Sequence, residues 1–206
     1  MGGKRTDYIT WDEYFMAVAR LAGLRSKDPN SQVGSCIVSQ DNKILSMGYN
    51  GFPKGCSDDE YPWDREGDPL ETKYFYVTHS ELNAILNYRG GSLEGAKLYV
   101  SLFPCNECAK AIIQSGIKEI IYGDDKYAET EGVIASKRML DSAGVRYRKF
   151  DGRIGRGFRQ GVGLLKTKSI FRLVKSDRVF KAKRINGDNV QFYLTLSPFL
   201  RERIKL

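Results

Sequence analysis

The chain has 206 residues, of which 41% are hydrophobic and 28% are charged. This length and apolar fraction are typical of one globular domain with room for a small appendage. Apolar runs stay shorter than the roughly 20 residues that span a bilayer, and the first residues lack an apolar signal core, so we expect neither a membrane protein nor a secreted one. Four cysteines do not indicate a disulfide framework, and we expect a cytoplasmic protein.

Charge is distributed unevenly along the chain. Residues 1–150 hold 19 Lys and Arg against 21 Asp and Glu, whereas residues 151–206 hold 14 against 4. The net charge of +8 therefore comes from the C-terminal quarter. Clustered basic residues attract phosphate groups, so nucleic-acid binding by this segment is one interpretation, and a solvated or oligomer-contact face is the favoured one.

The first predicted element is a helix over 11–24, because apolar residues recur there at helical spacing. Thr10 is the expected N-cap, with Glu13 completing a capping box. Two strands are predicted over 32–39 and 43–49.

A long loop rich in Gly, Pro and Asp follows at 51–68, and loops of this length in compact domains are usually functional or disordered. Helices and strands then alternate: helices over 79–89, 105–115 and 130–143, and strands over 97–102, 118–122 and 145–150. This order predicts an α/β domain over 7–150 in which helices cover both faces of one sheet.

Residues 151–206 have a different character. Glycines between 155 and 163 indicate a linker, and three short strands are predicted over 170–174, 178–185 and 190–196. Asn186-Gly187 is a strong hairpin signal between the last two strands. We therefore predict a small, basic, β-rich C-terminal extension.

The chemistry of the chain is concentrated around its single histidine. The sequence reads His79-Ser80-Glu81 and later Pro104-Cys105-Asn106-Glu107-Cys108. The order H-x-E followed by P-C-x-x-C is the signature of zinc-dependent nucleobase deaminases.

A catalytic zinc takes three protein ligands and keeps one position open, and His79, Cys105 and Cys108 supply three. Pro104 suits the start of a helix, and both thiols then lie one turn apart on one side, where the helix N-terminus favours the thiolate. Glu81, a carboxylate that binds no metal, is the expected general base. It would accept a proton from water, pass it to the ring nitrogen and assist the departure of ammonia.

A purely structural zinc site is the alternative interpretation of the two cysteines. Such a site is normally closed by a fourth Cys or His. The remaining thiols, Cys36 and Cys56, lie in or near predicted strands. The complete motif is far more specific than C-x-x-C, and the catalytic interpretation is favoured.

Residues 7–150 resemble the deoxycytidylate (dCMP) deaminase family. The resemblance is carried by five stretches: Glu13–Ala19, Ser26–Gly34, Gly48–Gly51, Glu81–Ile85 and Phe103–Lys110. It implies a cytidine-deaminase-like three-layer α/β/α fold with a mixed five-stranded sheet. It also implies one Zn²⁺ per chain, hydrolysis of dCMP to dUMP that supplies thymidylate synthesis, activation by dCTP, inhibition by dTTP, and a homohexamer.

The resemblance further implies roles for single residues. Asn50 matches the residue that hydrogen-bonds the sugar, and Gly48, Tyr49 and Gly51 match an effector site. Ser80 stands where Ala is commoner in the family, and its backbone N–H is still expected to hold the pyrimidine O2.

Two further substrate contacts have plain structural alternatives. Lys27 is a candidate for the substrate phosphate, or a solvated lysine. Phe103 is a candidate for the wall of the base pocket, or a core aromatic residue. Asn50 before Gly51 is also a turn signal.

Two other functions are weighed against dCMP deamination. The basic extension suggests a deaminase that acts on cytosine or adenine in nucleic acid. A regulatory nucleotide-binding subunit without turnover is the third hypothesis, and the presence of Glu81 argues against it.

Overall fold

The computed structural model describes residues 2–152 together with the backbone of two segments, 179–184 and 190–195. The chain divides into two compact units, Met1–Ile154 and Gly155–Leu206. In the first unit the helices are α1 (Trp11–Gly23), α2 (Ser80–Asn87), α3 (Asn106–Gln114) and α4 (Glu131–Ser142). The strands are β1 (Gly34–Val38), β2 (Ile44–Tyr49), β3 (Lys97–Val100), β4 (Glu119–Tyr122) and β5 (Arg146–Lys149).

The five strands form one mixed sheet in the order β2-β1-β3-β4-β5. β1 pairs antiparallel with both β2 and β3, whereas β3, β4 and β5 are parallel. Connections between parallel strands require crossovers, and α3 and α4 provide them. The predicted mixed five-stranded α/β fold is confirmed.

Side chains alternate along the strands between the two faces of the sheet, and both faces are packed. Leu98 and Val100 of β3 belong to the core cluster that also contains residues of α2, α3 and α4. Tyr99, between them, points to the opposite face and packs against Phe15 of α1 at 5.2 Å between ring centroids. One face therefore carries α1 and the other carries the remaining three helices.

Two glycines allow helices to approach the sheet closely. A Cβ on Gly34 would lie 2.0 Å from the carbonyl oxygen of Ala19 in α1. A Cβ on Gly48 would lie 2.2 Å from the carbonyl oxygen of Ser80 and 2.4 Å from the backbone nitrogen of Ala84 in α2. These positions are glycine because backbone of a packed helix occupies the space of a side chain.

The boundaries of the predicted elements differ from the structure by one or two residues at most ends. The capping box of Thr10 and Glu13 is present at α1. The sequence did not predict two short 3-10 helices, Pro69–Glu71 and Lys73–Phe75, that follow the long loop. None of the described helices is long and apolar enough to cross a bilayer.

In the second unit, two strands form an antiparallel pair: β6 (Val179–Arg184) and β7 (Val190–Thr195). Val179 pairs with Thr195 and Arg184 with Val190, as a hairpin requires. The predicted strand over 170–174, the glycine-rich linker and the Asn186-Gly187 turn lie outside the described residues.

Candidate active site

The N-termini of α2 and α3 converge on three candidate metal ligands. His79 is the N-cap of α2, Cys105 is the N-cap of α3, and Cys108 lies in the first turn of α3. His79 Nδ1 is 3.3 Å from Cys105 Sγ and 3.5 Å from Cys108 Sγ. The three ligand atoms all lie within 4.8 Å of one another. One imidazole nitrogen and two sulfurs at this spacing fit a zinc ion.

Within the described part of the chain, this ligand group has three members. Cys36 is buried in β1, opposite Met47 and Tyr99 on its neighbouring strands. Cys56 is half-buried in the long loop. The group thus has the composition of an open, catalytic zinc site and lacks the fourth ligand of a closed one.

Electrostatics favour a metal-binding thiolate at this point. Hydrogen bonds with Cys108 and His79 lower the pKa of the Cys105 thiol to about 3. The hydrogen bond with Cys105, together with burial, raises the pKa of Cys108. The hydrogen bond with Cys105 raises the pKa of His79 to about 9. The lowered pKa favours the thiolate form of Cys105, and the thiolate is the form that binds metal ions.

Glu81 lies beside these ligands in the first turn of α2 and is only 4% exposed. Burial raises the pKa of its carboxyl group, and the charge of His79 opposes that shift. The Ser80 hydroxyl donates a hydrogen bond to Glu81 Oε2 at 2.8 Å. A buried carboxyl group whose pKa is raised is suited to accept and return a proton.

His79, Ser80, Glu81 and Cys105 all line one cavity of about 330 Å³. This volume lies within the range of small-molecule sites. The cavity wall is partly apolar, with side chains suited to contact a flat aromatic base: Val33, Val77, Leu102, Phe103 and Val133. The reactive groups therefore open into a space that can hold a nucleotide base.

Asn50 also lines the cavity, but its side chain is engaged by protein groups. Its Oδ1 accepts from the Val33 N–H at 2.9 Å. Its Nδ2 donates to the Ser31 carbonyl at 2.9 Å and to Asp28 Oδ2 at 3.2 Å. Both amide protons are used, so a sugar hydroxyl would have to donate to Oδ1. The predicted sugar contact stays a prediction under that restriction.

Phe103 and Lys27 differ in position. Phe103 is 5% exposed, packs edge-to-face on Tyr122 and Tyr147, and also lines the cavity. It is thus both a core residue and part of the wall. Lys27 forms an ion pair with Asp58 and does not belong to the cavity lining. Its assignment to the substrate phosphate stays a prediction.

The candidate effector residues have separate structural roles. Gly48 is buried against α2, whereas Tyr49 is exposed. The backbones of Gly51 and Thr78 exchange hydrogen bonds of 3.1 and 2.9 Å, which join β2 to the start of α2. None of these three glycine and tyrosine residues lines the cavity. The effector assignment is untested by this geometry.

Sequence reasoning missed two cations that line the cavity, Arg65 and Lys73. Lys73 is 6% exposed, and its Nζ lies 2.5 Å from Oδ2 of the buried Asp28. Arg65 Nε donates to the Tyr74 hydroxyl at 3.2 Å, and no ion pair of the described residues includes Arg65. Both residues occur in the irregular stretch between β2 and α2, where no periodic pattern marks them.

Changing Asp28 to Asn is expected to lower the free energy of unfolding by about 3–5 kcal/mol, because it leaves the Lys73 ammonium buried without its counter-charge. Asp58→Asn removes the partner of the exposed Lys27 and should change stability far less, because exposed ion pairs contribute little. Urea denaturation of the two variants measures the difference. Equal losses would contradict a buried ion pair at Lys73.

The chain matches the family described as "Cytidine and deoxycytidylate deaminase zinc-binding region" over residues 9–124. Deoxycytidylate deaminase of Homo sapiens is 57% identical over 148 residues, which cover 71% of this chain and 83% of that protein. The probable deoxycytidylate deaminase of Drosophila melanogaster is 56% identical over 152 residues, covering 71% and 75%. Among solved structures, dCMP deaminase from the cyanophage S-TIM5 in complex with dCMP and dUMP superposes with a TM-score of 0.53 at 28% identity, covering 67% of this chain and 95% of that chain.

Proposed function

The chain belongs to the cytidine and deoxycytidylate deaminase family, and on that premise we propose that it is a zinc enzyme that hydrolyses dCMP to dUMP and ammonia. One observation carries the proposal: two members of the His/Cys/Cys group, His79 and Cys105, line the same cavity as the buried Glu81. An acid–base group beside an incomplete metal-ligand set is what hydrolytic deamination needs.

His79, Cys105 and Cys108 would hold one Zn²⁺ per chain. When bound, the metal supplies a Lewis acid that makes water nucleophilic at neutral pH. Glu81 accepts a proton from the attacking water and delivers it to the ring nitrogen of cytosine. The same carboxyl group then transfers the second proton of that water, released from the hydroxyl added to the ring carbon, to the amino group. The amino group leaves as ammonia.

The surrounding residues hold the base in place. The backbone N–H of Ser80 lies in the first helical turn, where amides lack an intrahelical acceptor, and we assign it to the pyrimidine O2. Phe103 and Val133 contribute apolar wall that excludes bulk water. Desolvation strengthens each hydrogen bond to the reacting atoms.

We assign the 5′-phosphate to Arg65 in preference to Lys27. The charge of Lys73 is balanced by Asp28, whereas Arg65 lines the cavity beside the Tyr74 hydroxyl. A guanidinium group can bind two phosphate oxygens at once. Monophosphate selectivity would then depend on a residue of the irregular stretch before α2.

The substrate assignment is tested with the whole zinc-loaded chain and two substrates, dCMP and deoxycytidine. We expect a much higher kcat/KM for dCMP. Arg65→Gln should lower kcat/KM for dCMP roughly 10- to 100-fold, as for loss of a charge-assisted hydrogen bond, and leave the value for deoxycytidine unchanged.

Lys27→Gln is the matched comparison, because it removes a cation that lies outside the cavity lining. A larger fall in the Lys27 variant than in the Arg65 variant would place the phosphate at Lys27. Equal turnover of dCMP and deoxycytidine by the unaltered chain would refute the monophosphate assignment.

Regulation and assembly form the remaining part of the proposal, and they rest on the family resemblance. We expect activation by dCTP, inhibition by dTTP, a homohexamer, and a role in supplying dUMP for thymidylate synthesis. One feature supports self-association: the edge strand β2 and the adjacent α2 expose Met47, Tyr49 and Leu86. An exposed edge strand with apolar side chains is a template for pairing with another chain.

A further inference from the structure

Two buried hydroxyl groups are linked to Glu81 by hydrogen bonds. Ser35 and Ser80 are both fully buried, and their Oγ atoms are 2.7 Å apart. Ser80 Oγ also lies 2.8 Å from Glu81 Oε2. Three side chains from a strand and a helix thus form one continuous hydrogen-bonded row that ends on the proposed general base.

Counting protons determines the direction of this row when Glu81 is ionised. A carboxylate can only accept, so the single hydroxyl proton of Ser80 is donated to Glu81. The remaining contact then requires that Ser35 donates to Ser80. Each hydroxyl therefore polarises the next toward the carboxylate, and such chains strengthen their own bonds in a low-dielectric interior.

The backbone holds the two serines at this distance. Ser35 of β1 pairs directly with Gly48 of β2, and both face α2. Because Gly48 has no side chain, the backbone of α2 at Ser80 packs onto the sheet within reach of the Ser35 hydroxyl. The contact is therefore built by strand register and close helix packing, not by mobile loops.

From this geometry we infer that Ser35 and Ser80 are positioning residues for the deamination, acting through Glu81. Ser80 holds Oε2 and so fixes the carboxylate plane, which leaves Oε1 to exchange protons with water and substrate. Ser35 orients the Ser80 hydroxyl. The inference rests on the proposed function, and it adds two side-chain hydroxyl groups to the groups that determine kcat.

The test uses Ser35→Ala, Ser80→Ala and the double variant, each as the whole zinc-loaded chain. Ser80→Ala keeps the backbone N–H, so kcat for dCMP should fall about tenfold with KM nearly unchanged, as for an interaction made mainly in the transition state. Ser35→Ala should lower kcat about threefold, since its contribution passes through Ser80. The double variant should have the same kcat as Ser80→Ala.

Thermal stability separates positioning from packing. Ser80→Ala leaves the Ser35 hydroxyl buried without its partner and should lower Tm, whereas the double variant removes both groups and should regain part of that loss. Stability is then recovered while kcat is not. Recovery of kcat together with Tm in the double variant, or an unchanged kcat in Ser80→Ala, would overturn the inference.

Two controls complete the experiment. Ser136→Ala removes another fully buried hydroxyl from α4 and should leave kcat unchanged, since its Oγ has no hydrogen-bond partner among the described residues. Zinc content is measured for every variant, and a kcat loss that tracks lost metal would also overturn the positioning role. Failure of the unaltered chain to deaminate dCMP would refute the proposed function itself, which is a separate result.

Discussion

Replacing Glu81 with Gln is expected to lower kcat for dCMP by roughly 10³-fold or more while leaving one zinc ion bound per chain. Gln has the same shape, and its side-chain oxygen can still accept the hydrogen bond that Ser80 donates at 2.8 Å. It cannot take a proton from water or return one to the base. Steady-state deamination assays and metal analysis of the purified variant measure both quantities.

Glu107→Gln is the matched control for this experiment. Glu107 lies between the two cysteines, but its carboxylate is exposed and pairs with Lys110 at 2.7 Å. Removing its charge should leave kcat within about twofold of the starting value, since exposed ion pairs contribute little. If Glu81→Gln also loses its zinc, Glu81 supports the metal site, and if it retains full activity, another group is the base.

Gly48→Ala is expected both to destabilise the protein and to disturb the candidate active site. The added Cβ would lie 2.2 Å from the Ser80 carbonyl oxygen and 2.4 Å from the Ala84 nitrogen, and both are backbone atoms that cannot rotate away. Relief requires α2 to move, and α2 carries Glu81 and follows His79 directly. We expect a loss of about 3 kcal/mol in the free energy of unfolding, with reduced zinc content and activity.

Gly51→Ala separates packing from effector binding within the same motif. A Cβ on Gly51 would meet nothing closer than a Tyr49 ring carbon at 3.9 Å, so stability should stay within about 0.5 kcal/mol. Urea denaturation compares the two glycine variants, and dCTP titration of activity follows the effector response. Equal destabilisation would contradict the packing role of Gly48. A changed dCTP response in a stable Gly51→Ala protein would support the effector assignment.

The structure thus qualifies what the resemblance implied for the motif Gly48–Gly51. The requirement for glycine at Gly48 has a sufficient cause in the contact between β2 and α2. The amide of Asn50 is similarly engaged by Asp28 and by backbone groups. A sequence motif can therefore reflect helix packing and loop structure as well as ligand contacts.

The sequence by itself determined the order of the elements, and it predicted the candidate metal ligands and the candidate acid–base residue. Cys105 and Cys108 are three residues apart at a helix start, so covalent spacing limits where their thiols can lie. His79 was assigned to the same candidate site by the motif H-x-E followed by P-C-x-x-C. Most predicted boundaries lie close to the observed ones, because hydrophobic periodicity, the Thr10 cap and glycine breaks act locally along the chain. The mixed strand order followed from the family resemblance, not from these local signals.

Only the tertiary structure decided which other groups reach the site. Arg65 and Lys73 come from an irregular stretch with no periodicity. Lys73 is paired because the carboxylate of Asp28 lies beside it, and Arg65 has no such ion pair among the described residues. Ser35 stands 45 residues before Ser80, and their hydroxyls meet through strand register and the close approach of α2. Contacts of this kind depend on the packing of segments that are distant in sequence, so local sequence patterns do not predict them.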